Sequence, residues 1–202
     1  MERLASELAE NLEAFRTLFH APENCDFVVR ELAPHGVRMA ALYIDGMANR
    51  RNLEDMVLRP LMNMRPFGGM APEGRSAALA AQVLPTGTGK LESGVRKIAD
   101  FVLDGNCAVL CDGCAQAVLA EMPGFASRAV DQPPIESAAF APHEAFNETI
   151  RTNLTLLHRI LRTPDFVTEI LEIGSSSKTK VAVTYLSGVA NPAVVREVKR
   201  RL

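Results

Sequence analysis

Residues 40–49 read Ala40-Ala41-Leu42-Tyr43-Ile44-Asp45-Gly46-Met47-Ala48-Asn49. A similar stretch occurs at residues 182–191, which read Ala182-Val183-Thr184-Tyr185-Leu186-Ser187-Gly188-Val189-Ala190-Asn191. Tyr, Gly, Ala and Asn recur at a constant offset of 142 residues, as from Tyr43 to Tyr185. Each copy has the pattern of a strand, a glycine turn and a helix. The recurrence predicts two similar α/β units, of which the second has barely begun by residue 202, and we expect the chain to be part of something larger.

The sequence around this repeat predicts an α/β fold. A mixed β-sheet is flanked by helices and is followed by the start of a second similar α/β subdomain. We expect an N-terminal helix within residues 1–24, a first α/β subdomain over residues 25–163, and a linker helix with the start of the second subdomain over residues 164–202.

Hydrophobic periodicity gives the individual elements of this prediction. The predicted helices cover about residues 2–19, 49–62, 75–84, 91–103 and 142–162, and a further short helix follows Pro164. The predicted strands are Phe27 to Leu32, Arg38 to Ile44, Cys107 to Cys111 and Ala115 to Glu121, with Ser127 to Asp131 as a candidate fifth. Turn residues join these strands into hairpins, most clearly at Asp112-Gly113.

The composition is that of an ordinary globular protein with a core, because 48% of the residues are hydrophobic and 23% are charged. The net charge is −2, aromatic residues make up 5%, and Trp is absent. The chain therefore lacks the positive electrostatic potential and the aromatic stacking side chains that favour nucleic-acid binding. We predict no nucleic-acid partner. Neither a secretory signal nor an apolar run of roughly 18–20 residues is present, so we expect a soluble chain on the cytoplasmic side.

Three cysteines, Cys107, Cys111 and Cys114, have the C-x3-C-x2-C spacing by which radical S-adenosylmethionine enzymes hold an iron–sulfur cluster. The last two also form a C-x-x-C pair, which is typical of thiol redox sites. Cys107 and Cys111 are predicted to lie on one strand, where they could equally be buried thiols of the core. An iron–sulfur or thiol redox enzyme is therefore the alternative hypothesis for function.

Other signs of catalysis are weak. The histidines at 20, 35, 143 and 158 are widely separated and lack metal-ligand spacing. The sequence has no pattern that pairs a nucleophile with an activating base. We predict that the chain is not an enzyme and uses no cofactor or metal.

From residue 25 onward the sequence contains a series of segments with the character of one protein family, in the order of that family. The first are Asp26-Phe27-Val28-Val29-Arg30-Glu31 and Tyr43-Ile44-Asp45-Gly46-Met47. Further along, they are Gly105-Asn106-Cys107-Ala108-Val109, Arg128, Pro133, Glu136, Pro142, Phe146, Glu148, Arg151-Thr152-Asn153-Leu154, Arg159, Gly174, Ser177-Lys178-Thr179, Tyr185 and Ala190-Asn191-Pro192. In these segments the sequence resembles the N-terminal region of the A subunit of bacterial spore germinant receptors, the GerA family.

The resemblance implies two α/β subdomains that precede a membrane-spanning region. It implies a cytoplasmic signalling and assembly domain of a nutrient-responsive receptor in the inner spore membrane. The implied partners are the receptor B and C subunits, the membrane region of the full-length A subunit, and a small-molecule nutrient such as an amino acid or a sugar.

The candidate interaction residues are polar side chains on or near the predicted helix over residues 142–162. They are Glu136, Glu148, Arg151, Asn153 and Arg159. Charged surface residues of this kind serve structural ion pairs as often as functional contacts. Glu148 and Asn153 could instead cap or pair within the fold.

Overall fold

A computed structural model describes residues 2–83, 89–122 and 145–202 of the chain. Its α-helices are α1 (Leu8–Leu18), α2 (Arg50–Leu53), α3 (Arg59–Asn63), α4 (Arg75–Ala78), α5 (Val95–Leu103), α6 (Ile150–Ile160) and α7 (Pro192–Arg201). A π-helical turn, Glu54–Leu58, joins α2 to α3, and a second, Leu79–Val83, follows α4. Short 3-10 turns cover Pro34–Gly36 and Pro72–Gly74.

Seven strands form two sheets in the described residues. The strands are β1 (Phe27–Leu32), β2 (Met39–Ile44), β3 (Lys90–Glu92), β4 (Cys107–Cys111), β5 (Ala117–Ala120), β6 (Phe166–Ile173) and β7 (Thr179–Leu186). The first sheet has the order β1-β2-β4-β5-β3, and β6 pairs with β7 in a second sheet. The predicted α/β class is confirmed, and the pairings between these strands are all antiparallel.

Both faces of the five-stranded sheet are buried because helices pack on each side. Alternate side chains of a strand point to opposite faces, so Ala40 and Leu42 of β2 join one core whereas Met39 and Ala41 join the other. The first core contains the apolar faces of α1 and α5, and the second contains the apolar face of the α2–α3 helix. The central strands β2 and β4 consequently read as nearly continuous apolar runs.

Four predicted helices differ from the structure. The helix predicted over residues 2–19 covers only Leu8–Leu18, because the preceding residues pair elsewhere, as where the Leu4 amide donates to the Ser93 carbonyl oxygen over 2.8 Å. The predicted helix over 91–103 begins at Val95, since β3 occupies Lys90–Glu92 and pairs with β5.

The short helix predicted after Pro164 is wrong, because residues 166–173 form β6 in full register with β7. The helix predicted over 142–162 covers Ile150–Ile160, while residues 145–149 are not helical and Phe146 is 64% exposed. The Asn153 side chain explains this late start. Its amide oxygen accepts from the Asn147 amide and its amide nitrogen donates to the Asn147 carbonyl, each over 2.8 Å. The candidate strand Ser127 to Asp131 lies outside the described residues.

The repeat predicted from residues 40–49 and 182–191 is present in the backbone. Phe27 lies opposite Ile44 in the first hairpin, and Phe166 lies opposite Leu186 in the second. A glycine with positive φ follows each second strand, at +87° for Gly46 and +78° for Gly188. The structure thus contains two ββα units with equivalent turns. The division into subdomains at residue 163 remains a prediction.

The helices that complete the two units start with the same cap. The Asn49 side-chain oxygen accepts from the Asn52 amide over 3.1 Å, and the Asn191 oxygen accepts from the Ala193 amide over 2.9 Å. Asparagine is among the preferred N-cap residues because its oxygen satisfies an unpaired amide of the first turn. The recurring Asn therefore marks the start of each helix.

Candidate functional site

A buried carboxylate, Asp26, lies immediately before β1 and is held by helix α6. Its Oδ1 accepts from Arg151 Nη1 over 2.5 Å, and its Oδ2 lies 3.0 Å from Nε2 of His158. Arg151 and His158 are seven residues apart, two helical turns, so they project from the same face of α6. Both side chains therefore reach one carboxyl group in the first ββα unit.

The electrostatics of this cluster keep Asp26 ionised. Burial alone opposes ionisation, but hydrogen bonds and charge from His158 and Arg151 outweigh it, and the pKa of Asp26 lies below its ordinary value of 3.8. An ionised carboxylate can only accept hydrogen bonds, so Nε2 of His158 carries a proton and donates it. The other ring nitrogen of His158, Nδ1, is buried without a partner among the described residues.

Arg151 also contacts the first glycine turn. Its Nη2 lies 3.2 Å from Oδ2 of Asp45. The neighbouring Gly46 packs so closely on α6 that an added Cβ would lie 2.7 Å from Cδ of Arg151 and 2.9 Å from Oγ1 of Thr155. Thr155 Oγ1 in turn donates to the Gly46 carbonyl oxygen over 3.1 Å. Helix α6 is therefore fixed to the turn that ends β2.

The same region joins the first hairpin to the second. The Asn24 side chain donates to the Phe166 carbonyl over 3.1 Å, and the Cys25 amide donates to the Thr168 carbonyl over 2.9 Å. The His158 ring packs edge-on against Phe166, with ring centroids 4.8 Å apart. We call Asn24, Asp26, Asp45, Arg151 and His158 the Asp26 junction, because they connect both hairpins and α6.

The equivalent aspartate of the second unit has a different environment. Asp26-Phe27-Val28 recurs as Asp165-Phe166-Val167, and the Asp26 and Asp165 carbonyls accept from the amides of Asp45 and Ser187, each over 2.8 Å. The Asp165 side chain, however, is 56% exposed, and its oxygens lie 3.1 Å from Nε2 of His20 and 3.4 Å from Oγ1 of Thr163. The repeat conserves the backbone role of this aspartate, and only the first copy is a buried charge.

A family model described as Bacillus/Clostridium GerA spore germination protein matches residues 13–202 of this chain. The chain belongs to the GerA family. Within the described residues of this GerA-family chain, no helix is both long and apolar enough to cross a membrane.

Curated relatives agree with this family. The chain is 24% identical over 202 residues to spore germination protein KA of Bacillus subtilis, covering 98% of this chain and 36% of the relative. It is 26% identical over 200 residues to spore germination protein B1 of Bacillus subtilis, covering 99% of this chain and 41% of the relative. The chain therefore spans less than half the length of these relatives.

A solved structure shows the same fold. The N-terminal domain of the A subunit of the Bacillus megaterium spore germinant receptor GerK3 matches with a TM-score of 0.78 at 24% identity. The match covers 99% of this chain and 72% of the GerK3 chain.

The structure places the predicted interaction residues of this GerA-family chain in different settings. Arg151 lies in the Asp26 junction, and Asn153 holds the segment before α6. Glu148 and Arg159 are exposed. Glu136 lies outside the described residues. Their roles in interaction remain predictions.

Sequence reasoning missed Asp26, Asp45 and His158 as members of the site. Asp26 is 125 residues from Arg151 and 132 residues from His158, so local spacing could not join them. One signal was available, because the recurrence of Asp26-Phe27-Val28 at residues 165–167 marks the start of both hairpins.

The cysteine hypothesis is not supported by the structure. Cys107, Cys111 and Cys114 are all buried in the core between the sheet and the α2–α3 helix. Burial raises the pKa of Cys107 to about 12, which disfavours the thiolate that a cluster ligand requires. Among the described residues, no group of three or more Cys, His, Asp or Glu side chains could hold a metal ion.

The lowered pKa of Asp26 predicts how stability depends on pH. A group whose pKa is depressed by folding stabilises the native state above its unfolded pKa, and that contribution is lost as pH falls through the folded pKa. Urea unfolding from about pH 5 down to about pH 3 should therefore show a steeper loss of stability in the wild type than in Asp26→Asn, which cannot titrate. If the free energy of unfolding fell equally steeply with pH in the wild type and in Asp26→Asn, the pKa of Asp26 would not be depressed.

Proposed function

We propose that this chain is a non-catalytic signalling and assembly region of a nutrient-responsive spore germination receptor. We place it at the cytoplasmic face of the inner spore membrane. The observation that supports this proposal is the GerA-family match over residues 13–202. Spore germination proteins KA and B1 match nearly the whole of this chain.

The proposed partners follow from the same family membership. They are the receptor B and C subunits, the membrane region of a full-length A subunit, and a nutrient such as an amino acid or a sugar. Because the chain corresponds to 36% and 41% of the length of two relatives, their remaining parts would supply the functions that this region lacks.

The Asp26 junction suggests how such a region could transmit a signal. Arg151 bonds to Asp26 and Asp45 at once, and the Cys25 amide bonds to β6. A shift of α6 against the first unit would break both ion pairs of Arg151, and a shift of β6 would break the bond to Cys25. The two hairpins and α6 should therefore move as one body, and force applied to one unit would reach the other.

The chemistry of the junction favours this mechanical role over catalysis. Asp26 is fully buried, and both of its oxygens are already occupied by Arg151 and His158. A catalytic carboxylate must instead be able to reach a substrate. In this arrangement Asp26 is suited to positioning α6.

Arg151→Gln tests the proposal in spores of the organism that carries this gene. The substitution removes the ion pairs to Asp26 and Asp45, and we expect nutrient-triggered germination to slow by at least about tenfold if the coupling is worth roughly 1.4 kcal/mol. The measurement is ion release after nutrient addition, with immunoblots of the A, B and C subunits in inner-membrane fractions.

Arg96→Gln is the matched control, because Arg96 is an exposed arginine on α5, away from the junction. It should germinate like the wild type. Normal germination of Arg151→Gln spores, with normal subunit levels, would count against the proposed role.

A further inference from the structure

A groove of about 750 Å³ lies on the first ββα unit, between the edge of the sheet and the α2–α3 helix. One side is β1, the edge strand of the five-stranded sheet, which contributes Val28, Arg30 and Leu32. These residues alternate along β1 and so share one face. The size is within the range of small-molecule sites, roughly 300–1,000 Å³.

Apolar side chains line the floor and part of the helical wall of this groove. Tyr43 of β2 lies opposite Val28 in the sheet, and both line the groove. Leu53 and Leu58 line it from the helix. The groove therefore offers an apolar surface for the body of a ligand.

The charged residues of the groove differ in whether they are already paired. Asp45 is held by Arg151, and Arg59 lies 3.3 Å from Asp55. Arg30 and Arg50, in contrast, have no ion pair or hydrogen bond from their side chains to another described residue, and both are exposed.

Glu54 is the remaining acidic side chain of the groove, and it too is unpaired within the described ranges. Two uncommitted cations and one uncommitted anion leave a single net positive charge. A monoanion neutralises that charge, whereas a dianion would leave an excess negative charge.

Tyr43 adds a neutral donor. Its hydroxyl has no hydrogen-bond partner among the described residues, although the side chain is half-buried. Burial and the nearby Asp45 raise the pKa of Tyr43, so the hydroxyl remains protonated at neutral pH. Arginine forks and a phenol hydroxyl are suitable donors for a carboxylate.

We propose that this groove binds a small monocarboxylate with an apolar body. Arg30, Arg50 and the Tyr43 hydroxyl contact the carboxylate, and Val28, Leu53 and Leu58 contact the apolar part. The site is independent of the proposed receptor function, because it requires only the first ββα unit.

Hexanoate is the probe, and hexanamide is its neutral counterpart of similar shape. Titration of the ¹⁵N-labelled chain with hexanoate should give saturable shifts of amide signals in β1, β2 and the α2–α3 helix. Hexanamide should bind at least about tenfold more weakly, because it loses the charge-assisted hydrogen bonds.

Arg30→Gln and Arg50→Gln should each raise the Kd for hexanoate by about tenfold, and Arg96→Gln should leave it unchanged. The three substitutions remove the same charge from exposed positions, and the amide spectrum of each variant reports that it is folded. Absence of saturable shifts in the groove, equal binding of hexanamide, or an equal loss in Arg96→Gln would each overturn the proposal.

Discussion

Asp26→Ala should lower the free energy of unfolding by about 3 kcal/mol. The substitution leaves Nε2 of the buried His158 and Nη1 of Arg151 without their acceptor. Breaking a buried ion pair by removing one partner typically costs about 3–5 kcal/mol. We expect the lower end because the Arg151 side chain is 35% exposed, so water can solvate part of the freed charge. Urea unfolding at pH 7 measures the change.

Asp165→Ala is the matched control for this prediction. Asp165 precedes the second hairpin as Asp26 precedes the first. Because the Asp165 side chain is exposed, its removal should lower the free energy of unfolding by less than about 1 kcal/mol. If Asp26→Ala and Asp165→Ala lowered the free energy of unfolding equally, burial of Asp26 would not add to its contribution to stability.

Gly46→Ala should destabilise the chain by about 3 kcal/mol, in two parts. The positive φ of +87° strains any residue with a Cβ, at a cost of about 1–2 kcal/mol. The new Cβ would also lie 2.7 Å from Cδ of Arg151, which must move away and loosen its bonds to Asp26 and Asp45. Thermal or urea unfolding of the purified chain tests the sum.

Gly188→Ala separates these two parts. Gly188 has a similar φ of +78°, but an added Cβ there would meet no atom of the described residues within 4 Å. This variant should lose only the strain, about 1 kcal/mol. If both alanine variants lost the same amount, close packing of Gly46 on α6 would not matter for stability.

The parts of the fold that were predicted correctly are those set by local sequence. β1 and β4 match their predicted bounds, Phe27 to Leu32 and Cys107 to Cys111, because turn residues bracket short apolar runs. The repeat was visible because Gly and Asn hold the same turn and helix-cap positions in both units, and Tyr and Ala recur beside them. Gly46 and Gly188 adopt the positive φ that this turn needs.

The errors occur where distant pairing decides the structure. β3 has only three residues and depends on pairing with β5, so the apolar pattern of residues 91–103 alone suggested a longer helix. β6 ends in Ile170-Leu171-Glu172-Ile173, which lacks strict alternation, and its pairing with β7 determines its conformation.

Dependence on contacts between distant residues also explains why only part of the candidate site was predicted. Arg151 was identified because a polar residue on an amphipathic helix is visible in sequence. Its partner Asp26 was not, since tertiary packing alone brings together side chains more than 100 residues apart.

Hydrogen exchange at the amides of Cys25 and Thr168 tests most directly whether Asp26 fixes the second hairpin to the first. These amides bond across the two hairpins, to the Thr168 carbonyl and to Oδ1 of Asn24. In the wild type both should be protected, and in Asp26→Ala both should exchange much faster while amides in the β2–β4 pairing stay protected. Unchanged protection of the Cys25 and Thr168 amides in Asp26→Ala would show that Asp26 does not fix the second hairpin to the first.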